Sequence, residues 1–260
     1  MEDDEKTSLR NTEDLPELIR QVRARTPARI LVGRAGAGYR TGTQLDLRES
    51  HAAARDAVRS EMSVTEVFGT AFIEKWKLFE VSTEARTKDE YLVRPDLGRR
   101  FDAESQEAIL RSCKSEADFQ IAIGDGLSVP AVAAQAPALL PLLHAGAKQR
   151  NWATGAIIVI RHCRVGILNA IGEILRPRVA VLLIGERPGL ATSESLSAYM
   201  AYRPNTNHSD ADRNLISNIH SKGLDSQTAS TRILGLATQM MAAGVSGFTL
   251  REAPPALEVH

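Results

Sequence analysis

The sequence predicts an α/β protein: a small helical N-terminal domain followed by a Rossmann-like three-layer domain with a mainly parallel sheet. Three observations predict it. First, residues 155–160 (Gly-Ala-Ile-Ile-Val-Ile) and 179–184 (Val-Ala-Val-Leu-Leu-Ile) are short and apolar on both faces, which suits central parallel strands. Second, helix-length stretches separate these runs, and the order strand, helix, strand, helix, strand implies parallel pairing with right-handed crossovers. Third, apolar residues before about residue 95 recur mostly at helical spacing.

The elements follow in order. Residues 1–12 are polar and read as a flexible tail. Residues 13–95 form the helical domain. Leu15, Leu18, Ile19 and Val22 make one helical stripe, with Thr12 as its cap. Leu47, Ala54 and Val58 define a helix over 47–60; Val64, Phe68 and Phe72 define another over 64–76. A short strand is expected at 78–82. Residues 96–260 form the second domain. Its first strand is expected at 119–123, followed by the turn Gly124-Asp125-Gly126 and a helix over 129–148. The strand at 155–160, a helix at 167–175 and the strand at 179–184 come next. Helices over 210–220 and 226–243 and a last strand at 247–250 complete the expectation.

Composition narrows the function. Lys plus Arg equals Asp plus Glu, at 32 each, so nothing favours a nucleic acid or an acidic membrane as partner. A chain of zero net charge is also more prone to associate with itself or a partner. The start, Met1-Glu2-Asp3-Asp4-Glu5, lacks the basic and apolar regions of a secretory signal. The apolar run near 131–143 is interrupted by Gln135, Pro137 and Pro141, so no membrane span is expected. Cys113 and Cys163 form no C-x-x-C pair and read as two reduced thiols of a cytoplasmic protein.

Ligands of such sheets sit beyond the carboxyl ends of the strands. That singles out residues 124–128, the segment after Ile160, and residues 185–189 (Gly-Glu-Arg-Pro-Gly). In the last, Gly185 lets the chain turn and Glu186 and Arg187 stand at the rim; a plain connection with solvated charges is the alternative. Gly124-Asp125-Gly126 resembles an anion-binding turn, but Asp125 would repel an anion, and Ser128 suits a helix cap. The glycine-rich stretch 33–42 lacks both the dinucleotide and the phosphate-loop spacing. The six histidines are scattered without metal-ligand spacing, and no G-x-S-x-G is present. The chain offers a binding face and no catalytic or metal-binding set.

Several segments in series resemble the small (light) subunit of ethanolamine ammonia-lyase. They are residues 34–41 (Arg-Ala-Gly-Ala-Gly-Tyr-Arg-Thr), 48–58, 91–100 (Tyr-Leu-Val-Arg-Pro-Asp-Leu-Gly-Arg-Arg), 124–128, 183–190 (Leu-Ile-Gly-Glu-Arg-Pro-Gly-Leu), 195–199, 212–214 and 216–219. Their order and spacing cover about 33–247. The resemblance implies a chain inactive alone, which joins a large barrel subunit and binds adenosylcobalamin between the two. The pair would convert ethanolamine to acetaldehyde and ammonia by radical chemistry, with the substrate-holding groups mainly on the large subunit. It implies three cofactor contacts: Val165, Glu186 and Leu215. At the last the family usually has cysteine, so a backbone contact would survive here and a role for sulfur would not. No D-x-H-x-x-G offers a histidine to cobalt. The resemblance also suggests a bacterial microcompartment as the setting. Two other classes stay open on residues alone: a nucleotide-dependent oxidoreductase, and a non-enzymatic scaffold.

Overall fold

The computed structural model describes residues 17–26, 28 and 30–252. The tail expected at 1–12, with Thr12 and Leu15, lies outside them. Helix α1 (Glu17–Ala24) buries none of its residues. Strands β1 (Arg34–Ala35) and β2 (Gly38–Tyr39) pair as a small hairpin, so the glycine-rich stretch is a turn, with Gly36 at φ +60°. Helix α2 (Thr41–Arg59) starts earlier than the expected residue 47.

The helix expected over 64–76 is divided. Helices α3 (Val64–Phe68) and α4 (Thr70–Trp76) meet at Gly69, whose φ of +71° and ψ of 153° lie where only glycine sits comfortably. The aromatic stripe survives the break, with Phe68 and Phe72 stacked at 5.6 Å between ring centres. Strand β3 (Phe79–Ser82) follows, then α5 (Lys88–Val93) and α6 (Ala103–Ser112), which had no counterpart in the sequence reading.

The remaining elements are β4 (Phe119–Gly124), α7 (Val129–Gln149), β5 (Ile158–Arg161), α8 (Ile167–Leu175), β6 (Val179–Gly185), β7 (Leu196–Tyr202), β8 (Asn214–Ile219) and α9 (Ser226–Ala243). Among the described residues the main sheet has six strands in the order β3-β5-β4-β6-β7-β8. The first four are parallel; β7 and β8 extend the sheet antiparallel. Segment 13–95 thus supplies the edge strand β3.

Alternation along the strands sorts the core into two layers. Val179, Val181 and Leu183 of β6 face one cluster with α7 and α9; Ala180, Leu182 and Ile184 face the other with α8. Helix α7 is long and apolar enough to cross a membrane by length and composition alone, yet Leu139, Leu140 and Leu143 are buried in the first cluster. The chain leaves β4 towards β5, then returns past it to β6. This reversal opens a crevice at the carboxyl ends beside β4.

Two expectations fail. Residues 210–220 are a short 3₁₀ turn (Asp210–Asp212) and then a strand, β8, rather than a helix. Ile216 and Ile219 are both buried, at a separation that imitates a helical stripe. A bulge explains it: the register against β7 shifts between Ile216↔Ala198 and Ile219↔Leu196, and Asn218 takes φ +59°. The extra residue brings both isoleucines to one face. Residues 247–249 form a 3₁₀ turn, not a strand. Gly247 has φ +81°, and Asn214 binds the Gly247 amide and the carbonyls of Gly247 and Leu250, which a strand would have needed for pairing.

Candidate functional site

The loops after β4 and β6 interlock through glycines. A Cβ on Gly126 would lie 2.3 Å from the Gly185 carbonyl oxygen, and Gly126 has φ +58°. A Cβ on Gly185 would lie 2.0 Å from the Ser128 carbonyl oxygen. No side chain fits at either place. Ser128 has the bland role: its hydroxyl accepts from Ala131 N–H at 3.2 Å and caps α7.

The loop after β5 is held from inside. Asp125 is fully buried; its carboxylate accepts from the amides of His162 (3.0 Å) and Cys163 (2.7 Å) and pairs with Lys88 Nζ at 2.9 Å. His162 is itself buried, its ring nitrogens 2.9 Å from Ala85 O and 3.1 Å from Glu61 Oε2, so it is a partnered structural residue. Tyr91 places its hydroxyl 2.8 Å from Gly126 O and 2.9 Å from Cys163 O. Burial, with help from Asp125, pushes the Tyr91 phenol well above its ordinary range, so it stays a neutral donor. The Arg164 guanidinium lies 4.2 Å from the centre of the Tyr91 ring.

Glu186, at the end of β6, does not pair with Arg187. Its Oε1 accepts from Ser197 Oγ–H at 2.7 Å and from the Asn218 amide at 2.9 Å. Its Oε2 makes no hydrogen bond among the described residues. The β8 bulge that misled the sequence reading is what turns the Asn218 amide towards Glu186.

These parts surround one hollow of about 400 Å³. Val165, Glu186 and Leu215 all line it, although each comes from a different element. Val165 both packs on the second core cluster and borders the hollow, so its two possible roles coincide. Leu215 is 46% exposed, a large apolar side chain left facing the hollow. Tyr91, Arg164 and Tyr199 join them and were not singled out from sequence. The signal available for Tyr199 was alternation: Leu196, Ala198 and Met200 face the first core cluster, so Ser197 and Tyr199 face the other side of the sheet, Tyr199 against the second cluster. A larger hollow, about 660 Å³, lies among Arg176, Arg178 and Arg203 at the amino ends of the strands. Two of those arginines already pair with Glu116 and Asp118, and ligands of such sheets bind at the opposite end. Among the described residues no group of three or more His, Cys, Asp or Glu is placed to hold a metal.

Comparison with known proteins bears on the same elements. A profile of the ethanolamine ammonia-lyase light chain matches residues 16–251. The chain belongs to this family. The matched span includes every element that borders the hollow, from α5 to β8. The ethanolamine ammonia-lyase small subunit of Clostridium perfringens is 42% identical over 231 residues, covering 89% of this chain and 76% of that protein. The small subunit of Clostridium acetobutylicum is 42% identical over 235 residues, 90% of this chain and 95% of its own length. That of Clostridioides difficile is 40% identical over 243 residues, 94% and 80% respectively.

Proposed function

We propose that this chain is the small subunit of an adenosylcobalamin-dependent ethanolamine ammonia-lyase, and that the hollow at the strand ends receives one edge of the cofactor. The observation that carries this is the convergence of Val165, Glu186 and Leu215 on one hollow. The donor set suits the group. A corrin ring carries a fringe of neutral amides, and the second oxygen of Glu186 is an acceptor with no partner among the described residues. Val165 and Leu215 add apolar contact. When bound, adenosylcobalamin supplies radical chemistry through homolysis of its cobalt–carbon bond.

The work of this chain is then binding and orientation. Glu186 takes an amide N–H from the cofactor edge, and its own place is set by Ser197 and Asn218. Leu215 and Val165 exclude water from that edge. The neutral Tyr91 hydroxyl stays committed to the backbone. On this reading, as in the family it resembles, ethanolamine is held mainly by a large-subunit partner, and the product pair is acetaldehyde and ammonia. The enzyme works in the cytoplasm, inside a bacterial microcompartment where the organism builds one.

The test is co-expression with the cognate large subunit and an assay of acetaldehyde formation from ethanolamine. Activity that needs both chains and adenosylcobalamin is expected, with Glu186→Ala raising the cofactor concentration needed. A purified pair that neither retains cobalamin nor turns over would overturn the proposal.

A further inference from the structure

We propose that Asp125 is a positioning residue for this hollow: its buried carboxylate sets the course of the 162–165 loop, and through it the places of Arg164 and Val165. The inference rests on the cofactor reading given above.

Asp125 does not border the hollow; Gly126 and Leu127 beside it do. The contacts of its carboxylate all point inward, to the consecutive amides of His162 and Cys163 and to Lys88 Nζ. Successive amides converging in this way form a nest, a backbone concavity that takes an anion. Here the anion is the protein's own side chain. The turn that resembled an anion site in the sequence supplies the anion instead.

The nest has a conformational requirement. His162 sits at φ +54°, a left-handed conformation that a side chain adopts only when its surroundings hold it there. Asp125 holds it from one side. Ala85 O and Glu61 Oε2 hold its ring from the other, and Thr83 Oγ1 donates to its carbonyl at 3.0 Å. Directly after the nest, Arg164 N–H donates to Gly98 O at 2.8 Å, and Tyr91 O–H reaches the Cys163 carbonyl at 2.9 Å. The chain then delivers Arg164 and Val165 to the hollow before α8 begins at Ile167.

A buried ion pair is a poor device for stability alone, because desolvation offsets much of its attraction. It is a good device for direction, since a carboxylate accepts from several donors at fixed angles. Lys88 matches the charge, and α5 also contributes Tyr91. The segment before the parallel strands thereby helps to shape a hollow at their ends.

The test uses the assembled two-chain complex and aquacobalamin as probe, titrated by its absorbance. Asp125→Asn keeps the size of the side chain and loses the charge. We expect its Kd for aquacobalamin to rise about tenfold, the loss that follows a broken charged hydrogen bond. The rise should exceed any fall in kcat at saturating adenosylcobalamin, and Lys88→Arg, which keeps the charge, should bind closer to wild type. If Asp125→Asn assembles, melts at a lower temperature and binds aquacobalamin like wild type, the role is structural only and the inference falls. If that variant does not assemble, hydrogen exchange on the cofactor-free wild-type complex decides. Slow exchange of the His162 and Cys163 amides is expected of a loop positioned in advance, and rapid exchange would overturn the inference. A wild-type complex that fails to bind aquacobalamin would overturn the reading of the hollow and this inference with it. Wild-type binding with unaltered Asp125→Asn binding overturns this inference alone.

Discussion

Ser197, near the start of β7, donates its hydroxyl to Oε1 of Glu186 at the end of β6, at 2.7 Å. The antiparallel register puts them within reach, because Leu196 stands opposite Gly185 and Ser197 opposite Ile184. The bond, with that from Asn218, fixes one carboxylate oxygen and leaves the other for a ligand. Ser197→Ala should therefore weaken aquacobalamin binding by the complex about tenfold, as expected for one lost hydrogen bond to a charged group. Absorbance titration checks it. Unchanged affinity would mean that Glu186 is held well enough by Asn218 alone.

Gly126 and Gly244 both have positive φ, at +58° and +71°, but differ in their surroundings. A Cβ on Gly244, the C-terminal cap of α9, meets nothing within 4 Å, whereas on Gly126 it would meet the Gly185 carbonyl oxygen at 2.3 Å. Gly244→Ala should cost only the left-handed strain, about 1–2 kcal/mol. Gly126→Ala adds overpacking against backbone, for a total of about 2–5 kcal/mol. Urea denaturation of both variants measures the difference. Equal losses would show that the loops after β4 and β6 separate easily.

The parallel strands were legible because burial on both faces leaves no polar residue in runs such as 179–184. The span of α9 was legible too, since Asp225 caps its start and Gly244 ends it. Strand β8 was not, because its bulge gave Ile216 and Ile219 a helical spacing. That error touched the site. Topology put Val165 and Glu186 beyond strand ends, but Leu215 reaches the hollow only because β8 lies beside β7. Its selection rested on family resemblance. Tyr91 heads one of the segments that carry the family resemblance, but nothing local pointed to its place at the hollow: its partner Cys163 is 72 residues away, and only the folded chain brings them together.

Asp118 ties the entries of two strands. Its carboxylate accepts from Ala153 N–H at 2.9 Å, before β5, and from Arg178 at 3.0 Å, before β6. The Ala153 amide first, and Arg178 second, hold its carboxyl below the usual carboxylate range. A depressed folded value stabilises the protein above the unfolded value and loses that contribution as pH falls through the folded one. Wild type should therefore be more stable than Asp118→Asn at pH 7, and the gap should close as pH falls below about 4. Thermal melts of the two proteins across that range test the sign. A gap that widens on acidification would refute it.

The two thiols should differ in reactivity with the depth of their surroundings. Burial pushes Cys113 up to about 11, and pushes the fully buried Cys163 well above its ordinary value, with Asp125 adding to the effect. Thiolate is the reactive form, and two pKa units remove about 99% of it at a given pH. At pH 8, iodoacetamide should label Cys113 on the order of 100-fold more slowly than a free cysteine, accelerating towards pH 11. Cys163 should stay unlabelled until the protein unfolds, as intact-mass spectra in a urea series would record. Cys163 also carries one of the two amides that Asp125 grips. Labelling of Cys163 in the native complex would thus reveal an opening of the 162–165 loop, and with it a hollow less fixed in advance than these contacts imply.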